Sequence, residues 1–247
     1  MEKLTYMRRF KFLISVVFII IFGLYINSIR DKSISIMNGT KLETNYKIIN
    51  SGKSGPTLFI ISGIHGNEIA GVQALEEFDF SLNKGKVILI KRASIDACNQ
   101  KVRYPYYLQD LNRCFPGVKD GRETERLAYE IFNVIKKYNP SLVLDLHEAE
   151  EYGEYNVNVA NSLIMNSINS NNKLLIEVLD KLNNSDLKAE FTFEDGCPKG
   201  SINKEVSEML NIPVITLETD MKKTLEERAK IHRKVIKILL NYYGMEK

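Results

Sequence analysis

The sequence has few of the residues that common metal and redox motifs require. It contains three cysteines, and they show no paired spacing of the zinc-ribbon or redox type, which excludes those classes of site. The three are Cys98, Cys114 and Cys197. Outside a membrane one disulfide and one free thiol are compatible with this odd count, but the count does not identify the pair. We therefore expect the chemistry to lie elsewhere.

A basic region is also missing from the body of the chain. The formal net charge is +3, and the whole excess lies before residue 28, so the remaining charges sum to zero. Because binding to nucleic acid depends on clustered positive charge, we expect no nucleic-acid partner. With 44% hydrophobic and 26% charged residues over 247 positions, the sequence predicts one globular α/β domain with a short appendage.

An uncharged apolar segment follows the basic amino terminus. It covers residues 12–29 and is closed by Arg30. A membrane span needs about 20 apolar residues, and roughly 17 at the least, whereas the core of a cleaved signal peptide is shorter. No small-x-small cleavage pattern follows the segment. We predict a transmembrane signal anchor over residues 1–30, with the rest of the chain outside the cell membrane; cleavage and secretion are the alternative.

Apolar runs alternate with helical patterns along the rest of the chain. Residues 31–44 are polar and mixed and are predicted to be a linker before a domain at 45–247. Buried strands are predicted at 57–62, 86–91, 142–147 and 214–218, and less regular ones at 45–51, 156–160 and 189–193. Helices are predicted after Glu68 and at 123–138, 173–182, 204–210 and 224–243. This alternation predicts an α/β fold with a mixed, mostly parallel central sheet flanked by helices.

Two of the three histidines lie where predicted buried strands end. His65 follows the strand at 57–62 and precedes Glu68 by three residues, and His147 ends the strand at 142–147. Two imidazoles, one carboxylate and an open position are the ligand set of a catalytic zinc site, which activates water at neutral pH. The alternative of two unrelated loop histidines stays open, because a His-x-x-Glu pair is a weak motif. His232, in the last helix, is predicted to be a structural or surface residue.

Four short motifs, taken in order, resemble a known family. They are Gly63-Ile-His65-Gly-Asn-Glu68, Asp110-Leu-Asn112-Arg113, Asp145-Leu-His147 and Thr216-Leu-Glu218. Each is unspecific alone, but together they resemble the zinc metallocarboxypeptidase clan, specifically its succinylglutamate desuccinylase and aspartoacylase branch. The resemblance covers residues 57–219 and implies a zinc carboxypeptidase-like fold and hydrolysis of amide bonds.

The resemblance also implies roles for the residues around the metal. His65, Glu68 and His147 would hold one Zn²⁺ ion. Glu218 would be the general base that takes a proton from water and passes it to the leaving nitrogen. The alternative for Glu218 is a carboxylate that merely ends an edge strand. Asp145, which points to the same side of its strand as His147, would orient that ligand or be satisfied by backbone donors.

Three further residues would contact the substrate if the resemblance holds. Asn112 and Arg113 would clamp a substrate carboxylate, for which the planar guanidinium fork is well suited. Arg103 would polarise the scissile carbonyl and stabilise the oxyanion, although it lies farther ahead of Asn112 than the family pattern suggests. The alternative for Arg113 is a surface ion pair with Asp110 or Asp120.

The chain departs from the family pattern in two places. About thirty residues follow Glu218, whereas the acylase branch carries a further β domain there, so we expect a more open pocket. The tyrosine that closes over substrate in carboxypeptidases has no clear counterpart; Tyr152 and Tyr155 are candidates by position. The acidic residues after His147 predict either a negative rim that favours an amino-bearing substrate or a solvated loop, and they are Glu148, Glu150, Glu151 and Glu154.

These observations predict a zinc hydrolase domain at residues 45–247 that acts outside the membrane. The expected substrate is a peptide with a free carboxylate, such as a cell-wall peptide. A deacylase of N-acyl amino acids and a non-catalytic, zinc-dependent peptide-binding module are the alternatives.

Overall fold

The structure, a computed structural model, describes residues 31–150, 159–166, 172–187 and 189–247. Within these residues eight strands form one sheet in the spatial order β1-β2-β4-β3-β5-β8-β6-β7. The strands are β1 (Asp31–Ile36), β2 (Thr44–Asn50), β3 (Thr57–Ser62), β4 (Lys86–Ile90), β5 (Leu142–Ala149), β6 (Ser162–Met165), β7 (Thr192–Asp195) and β8 (Val214–Asp220).

Six α-helices and one 3₁₀ turn connect the described strands. The helices are α1 (Ile69–Glu77), α2 (Ile95–Gln100), α3 (Glu123–Tyr138), α4 (Asn172–Asn183), α5 (Ile202–Leu210) and α6 (Leu225–Tyr242). The 3₁₀ turn is Leu111–Arg113. Helix α3 has the predicted bounds because Asn139 takes a left-handed conformation at its end and Pro140 follows.

The sheet is mixed, as predicted. Neighbours β4, β3, β5 and β8 run parallel through its centre, and β6 and β7 are parallel to each other. The pairs β1–β2, β2–β4 and β6–β8 are antiparallel. The continuous apolar runs that predicted buried strands are the central parallel strands, which are covered on both faces.

Two apolar layers enclose the sheet, one on each face. Successive side chains of a strand point to opposite faces, so Leu58 and Ile60 pack with α1, α4 and α6, whereas Phe59 and Ile61 pack with α3 and α5. All four side chains are buried. Burying each one contributes about 1.5–3 kcal/mol to stability. The layers hold the carboxyl ends of the central strands in fixed positions.

The prediction of a linker at residues 31–44 is wrong. The segment from Asp31 forms the edge strand β1, which pairs with β2 along its whole length. Ile36 and Leu42 are buried in the core, and the turn that joins β1 to β2 is closed by a hydrogen bond from the Thr40 N–H to the Met37 carbonyl. The polar residues of β1 alternate with isoleucines, a strand pattern that the mixed composition obscured.

Two other expectations fall partly or wholly outside the described residues. The predicted signal anchor at residues 1–30 lies outside them, as do residues 156–158 of a predicted strand, and β6 follows at Ser162–Met165. The structure therefore does not test the anchor. Among the described residues no helix has the length and apolar character that crossing a membrane requires. The long connection between β4 and α3, at residues 93–121, contains helix α2 and the 3₁₀ turn.

Gly66, which follows His65, packs directly against helix α2. A Cβ atom there would lie 1.9 Å from the Ala97 carbonyl carbon. We expect Gly66→Ala to lower the free energy of unfolding by about 3 kcal/mol, because the backbone of a helix has to move. The control Gly39→Ala meets no atom within 4 Å and should cost only the strain of its positive φ, about 1–2 kcal/mol. Urea unfolding measures both values, and equal costs would contradict this account.

Candidate functional site

The site lies at the carboxyl ends of three neighbouring parallel strands. His65 and Glu68 occupy the turn between β3 and α1, His147 lies near the end of β5, and Glu218 lies near the end of β8. The register of β5 and β8 places His147 directly beside Glu218. Because parallel strands end at one edge of the sheet, residues far apart in sequence meet there.

His65, Glu68 and His147 form a buried group that can hold one metal ion. The Nδ1 atom of His65 is 2.5 Å from Glu68 Oε1, and the Nδ1 atom of His147 is 2.7 Å from Glu68 Oε2. The candidate ligand atoms of the three side chains lie within 4.8 Å of one another. Two imidazole nitrogens and a carboxylate suit Zn²⁺, so the donor set fits the ion.

A second carboxylate contacts the far side of each imidazole. His65 Nε2 is 3.2 Å from Asp110 Oδ1, and His147 Nε2 is 3.0 Å from Asp145 Oδ2. A carboxylate at Nε2 favours the proton on that nitrogen and leaves the Nδ1 lone pair for a metal. The structure therefore gives Asp145 the orienting position expected of it. Asp110, which the sequence offered only as an ion-pair partner of Arg113, does the same for His65.

The carboxylates in and around the His-Glu-His group stabilise positive charge at this site. Burial alone would raise the pKa of the Glu68 carboxyl, but His65 and His147 hold it well below its ordinary value. Burial would lower the pKa of His147, yet the charges of Asp145 and Glu68 raise it well above its ordinary value. A cation is therefore stabilised between these carboxylates.

Glu218 has the electrostatic environment of a proton carrier. Burial in the cavity wall raises the pKa of its carboxyl to about 8, with His147 opposing the shift and Glu68 adding to it. A carboxyl group whose pKa lies near neutrality can both accept and release a proton. Glu218 lies beside His147, where a general base would be needed, and its role as the base stays a prediction.

Arg103 reaches the metal group from the connection after α2. Its Nε and Nη2 atoms donate to Asp110 Oδ2 at 3.1 and 2.9 Å, and its Nη1 lies 3.8 Å from Glu68 Oε1. Its carbonyl accepts the Gly66 N–H. Despite its unexpected distance from Asn112 in sequence, Arg103 is placed beside the metal group.

Asn112 and Arg113 lie in the 3₁₀ turn and face the same cavity. The Asn112 Oδ1 accepts the Ile202 N–H at 3.1 Å, which directs the amide nitrogen away from α5. The Arg113 Nη1 donates to the Asn112 carbonyl at 2.8 Å. Among the described residues Arg113 makes no ion pair with Asp110, which instead contacts His65 and Arg103.

One cavity of about 580 Å³ brings all the candidate residues together. Its wall includes His65, Glu68, Arg103, Asn112, Arg113, His147 and Glu218. Their individual roles remain predictions. Asn67 also lines the cavity, and its buried Oδ1 atom has no partner among the described residues. Cys98, Cys114 and Cys197 are free thiols, and only Cys197 is part of the cavity wall.

The same motifs match a family model. The model of the succinylglutamate desuccinylase/aspartoacylase catalytic domain matches residues 54–244. The chain belongs to this family. Membership confirms the resemblance seen in the sequence and, with the buried His-Glu-His group, the prediction of one zinc ion.

A curated relative of this family member is the N-alpha-acetyl-L-2,4-diaminobutyric acid deacetylase of Halomonas elongata. It is 36% identical over 98 residues, which are 38% of this chain and 28% of that protein. This chain therefore spans well under two thirds of the deacetylase.

Solved structures share the fold of this family member. Product-bound cell shape determinant protein Csd4 from Helicobacter pylori has a TM-score of 0.70 and 19% identity, over 81% of this chain and 55% of Csd4. The mDAP-bound form of Csd4, a D,L-carboxypeptidase, has a TM-score of 0.67 and 19% identity, over 77% and 51%. Product-bound EutE (DoeB), an ectoine utilization protein from Ruegeria pomeroyi, has a TM-score of 0.68 and 17% identity, over 88% and 68%.

The first acidic residue after His147 is not part of a solvated loop in this family member. Glu148 is buried at the end of β5, where its Oε1 accepts the Ala70 N–H at 2.6 Å and its Oε2 pairs with Arg228 of α6. The Glu148 N–H donates to Glu68 Oε2 at 3.2 Å. Glu148 therefore connects both metal-binding segments to α6. Glu150 lines the cavity, and the other residues proposed for this loop lie outside the described ranges: Glu151, Tyr152, Glu154 and Tyr155.

His232 lies on α6 and is buried rather than on the surface. Its Nε2 is 3.3 Å from the Thr219 Oγ1, and its Nδ1 has no partner among the described residues. Burial, with smaller effects from His147 and Arg228, lowers the pKa of His232 to about 3, so the side chain is neutral. This agrees with the structural role expected for it.

Removing the positive charge of Arg228 should leave the buried Glu148 carboxylate without its ion-pair partner. We expect Arg228→Gln to lower the free energy of unfolding by about 3 kcal/mol and to weaken zinc binding by about 10-fold or more. Arg233→Gln, on the same helix, is the control, because Arg233 pairs with the more exposed Glu77 and Glu226 and should cost less than about 1 kcal/mol. Urea unfolding and zinc competition measure the two effects. Equal effects of the two substitutions would show that Glu148 needs no partner.

Proposed function

We propose that this chain is a zinc-dependent amide hydrolase that removes a carboxylate-bearing residue from the end of a peptide. The observation that carries the proposal is the position of Glu218, a carboxylate that the register of β5 and β8 places directly beside His147 in the wall of the same cavity. Binding alone requires no such proton carrier. Arg103 and the two residues that clamp the substrate carboxylate, Asn112 and Arg113 (the clamp), line the same cavity.

The chain supplies each element that amide hydrolysis requires. His65, Glu68 and His147 would hold the zinc ion, which when bound would supply Lewis-acid chemistry for a scissile carbonyl and for water. Glu218 takes a proton from the attacking water as the carbon–oxygen bond forms, and delivers it to the nitrogen as the carbon–nitrogen bond breaks. Arg103 donates to the developing oxyanion.

The clamp selects substrates that carry a carboxylate next to the scissile bond. The Arg113 guanidinium can donate two parallel hydrogen bonds to a carboxylate, and the Asn112 amide nitrogen adds a donor beside it. A peptide with a free carboxyl terminus presents this group. The name of Csd4 as a D,L-carboxypeptidase supports the same class of substrate here.

A second candidate is a deacylase that releases a short acid from an N-acyl amino acid. The identity shared with the diaminobutyric acid deacetylase favours it. Such a substrate presents the same carboxylate and the same amide bond to the same residues. Location adds support for the peptide, because the apolar segment at residues 12–29 suggests a membrane-anchored enzyme that acts outside the cell.

Metal dependence and substrate class can be measured together. We expect the purified chain to bind one zinc ion and to release the last residue from members of a carboxyl-terminal peptide library faster than it cleaves the matching N-acetyl and N-succinyl amino acids. A chelator should abolish turnover and added zinc restore it. Failure to bind zinc at micromolar concentration would overturn the proposal, and faster cleavage of the acylated amino acids would favour the deacylase.

Glu218→Gln should separate chemistry from metal binding. The amide cannot carry a proton, so we expect kcat to fall by about 10²- to 10⁴-fold while zinc stoichiometry stays the same. Glu177→Gln is the control, because Glu177 pairs with Lys181 on the surface of α4. Initial rates and metal analysis of both variants make the comparison. Undiminished turnover in Glu218→Gln would remove this residue as the base.

A further inference from the structure

Exposed apolar side chains are concentrated at one place on the described surface. Of the eight large hydrophobic side chains that are exposed in the described ranges, four lie within residues 102–107. Three are tyrosines, and we call Tyr104, Tyr106 and Tyr107 the tyrosine shelf. Tyr106 is 95% exposed. Single exposed apolar residues are common, but a contiguous exposed group marks a binding surface.

Contacts between neighbouring residues order the part of the tyrosine shelf that contains Tyr106 and Tyr107. Gln100 Nε2 donates to the Tyr107 hydroxyl at 2.9 Å, and that hydroxyl donates to Asp96. The rings of Tyr106 and Tyr107 pack edge to face, with centroids 5.0 Å apart. The Leu108 N–H closes a turn on the Pro105 carbonyl at 2.9 Å. A surface that is already ordered loses little conformational entropy when a ligand binds.

The tyrosine shelf continues into the cavity of the candidate site. Tyr104 is part of the cavity wall and directly follows Arg103, whose carbonyl accepts the Gly66 N–H. Asn112 is linked both to Arg103 and to α5, because its N–H donates to Asp110 Oδ1 at 2.8 Å and its Oδ1 accepts the Ile202 N–H. The shelf therefore continues from Arg103 through Tyr104, whereas the clamp is linked to Arg103 through Asp110 and extends toward α5.

We propose that the tyrosine shelf binds the acyl part of a peptide substrate, two or more residues before the scissile bond. The inference rests on the proposed function, because it takes the substrate carboxylate to bind at Arg113 and the scissile carbonyl to lie near Arg103. The chain beyond that carbonyl then runs past Tyr104 toward Tyr106.

The length of the acyl part of a substrate determines whether the tyrosine shelf adds to its binding affinity. Each extended residue spans about 3.3–3.6 Å, so an acetyl group ends within the cavity, whereas a peptide of several residues extends onto the shelf. Apolar side chains and methylene groups of the peptide cover the tyrosine rings and remove them from water. The shelf therefore favours peptides over short N-acyl amino acids.

Binding to a non-hydrolysing variant tests the proposal independently of turnover. The zinc-loaded full chain with Glu218→Gln is titrated calorimetrically with ligands that share one carboxyl-terminal residue, chosen as the acetylated amino acid that binds this variant most tightly. That residue is acetylated directly or after one, two or three alanines. We expect Kd to fall by about tenfold between no alanine and three, a factor that corresponds to roughly 1.4 kcal/mol.

Substitutions of Tyr106 test whether the tyrosine shelf provides this gain in affinity. Because Tyr106 is almost fully exposed, Tyr106→Ala should leave the fold intact and remove most of the gain, whereas Tyr106→Phe, which keeps the ring, should retain it. Ile176→Ala, at a 66% exposed position on α4, is the control and should keep the full gain.

The outcomes separate the shelf from the proposed function. A Kd that does not depend on length, or a gain that survives in Tyr106→Ala, overturns the shelf even if the wild-type chain hydrolyses peptides. A gain that Tyr106→Ala removes supports the shelf even if the wild-type chain shows no turnover, in which case the hydrolase assignment fails alone. Absence of binding by every ligand overturns both.

Discussion

The buried carboxylate of Glu68 is the contact on which the site depends. Its two oxygens contact the Nδ1 atoms of His65, in the turn after β3, and of His147, on β5. Burying a carboxylate without a partner would lower the free energy of unfolding. The Glu68 carboxylate is therefore stable only with positive charge beside it, either on the imidazoles or on a metal ion. Neighbouring parallel strands and a helix that starts at Glu68 are needed to bring the three side chains together.

Three further carboxylates surround this contact and restrict the movement of the side chains that form it. Asp110 and Asp145 fix the two imidazole rings, and Glu148 ties the start of α1 to Arg228 on α6. Each of these three acids is itself held by a hydrogen bond or an ion pair, so its negative charge has a partner within the site. The fold thus supplies a site that favours a cation and restricts the orientation of its ligands.

The sequence is informative where chemistry and periodicity coincide. His65, His147 and Glu218 could be found because each follows a buried apolar run, and the helix at 123–138 was bounded by its caps. The pairing of Glu148 with Arg228, 80 residues away, carries no local signal, because either residue alone is typical of a solvated surface. The edge strand β1 was missed for a related reason: its pairing with β2, rather than its own composition, makes it a strand.

A single connection, from residue 93 to 121, carries a carboxylate that contacts a metal ligand and the residues proposed to contact the substrate. It carries Asp110, whose carboxylate contacts the His65 imidazole. It also carries Arg103, which donates hydrogen bonds to the same carboxylate. It also carries the clamp and the tyrosine shelf. The metal ligands themselves belong to the turn after β3 and to β5, which are fixed by the core. Substitutions on the exposed side of this connection are therefore expected to alter which substrates bind. Substitutions at Asp110 are expected to affect binding and chemistry together, because that carboxylate contacts both His65 and Arg103, the arginine proposed to be catalytic.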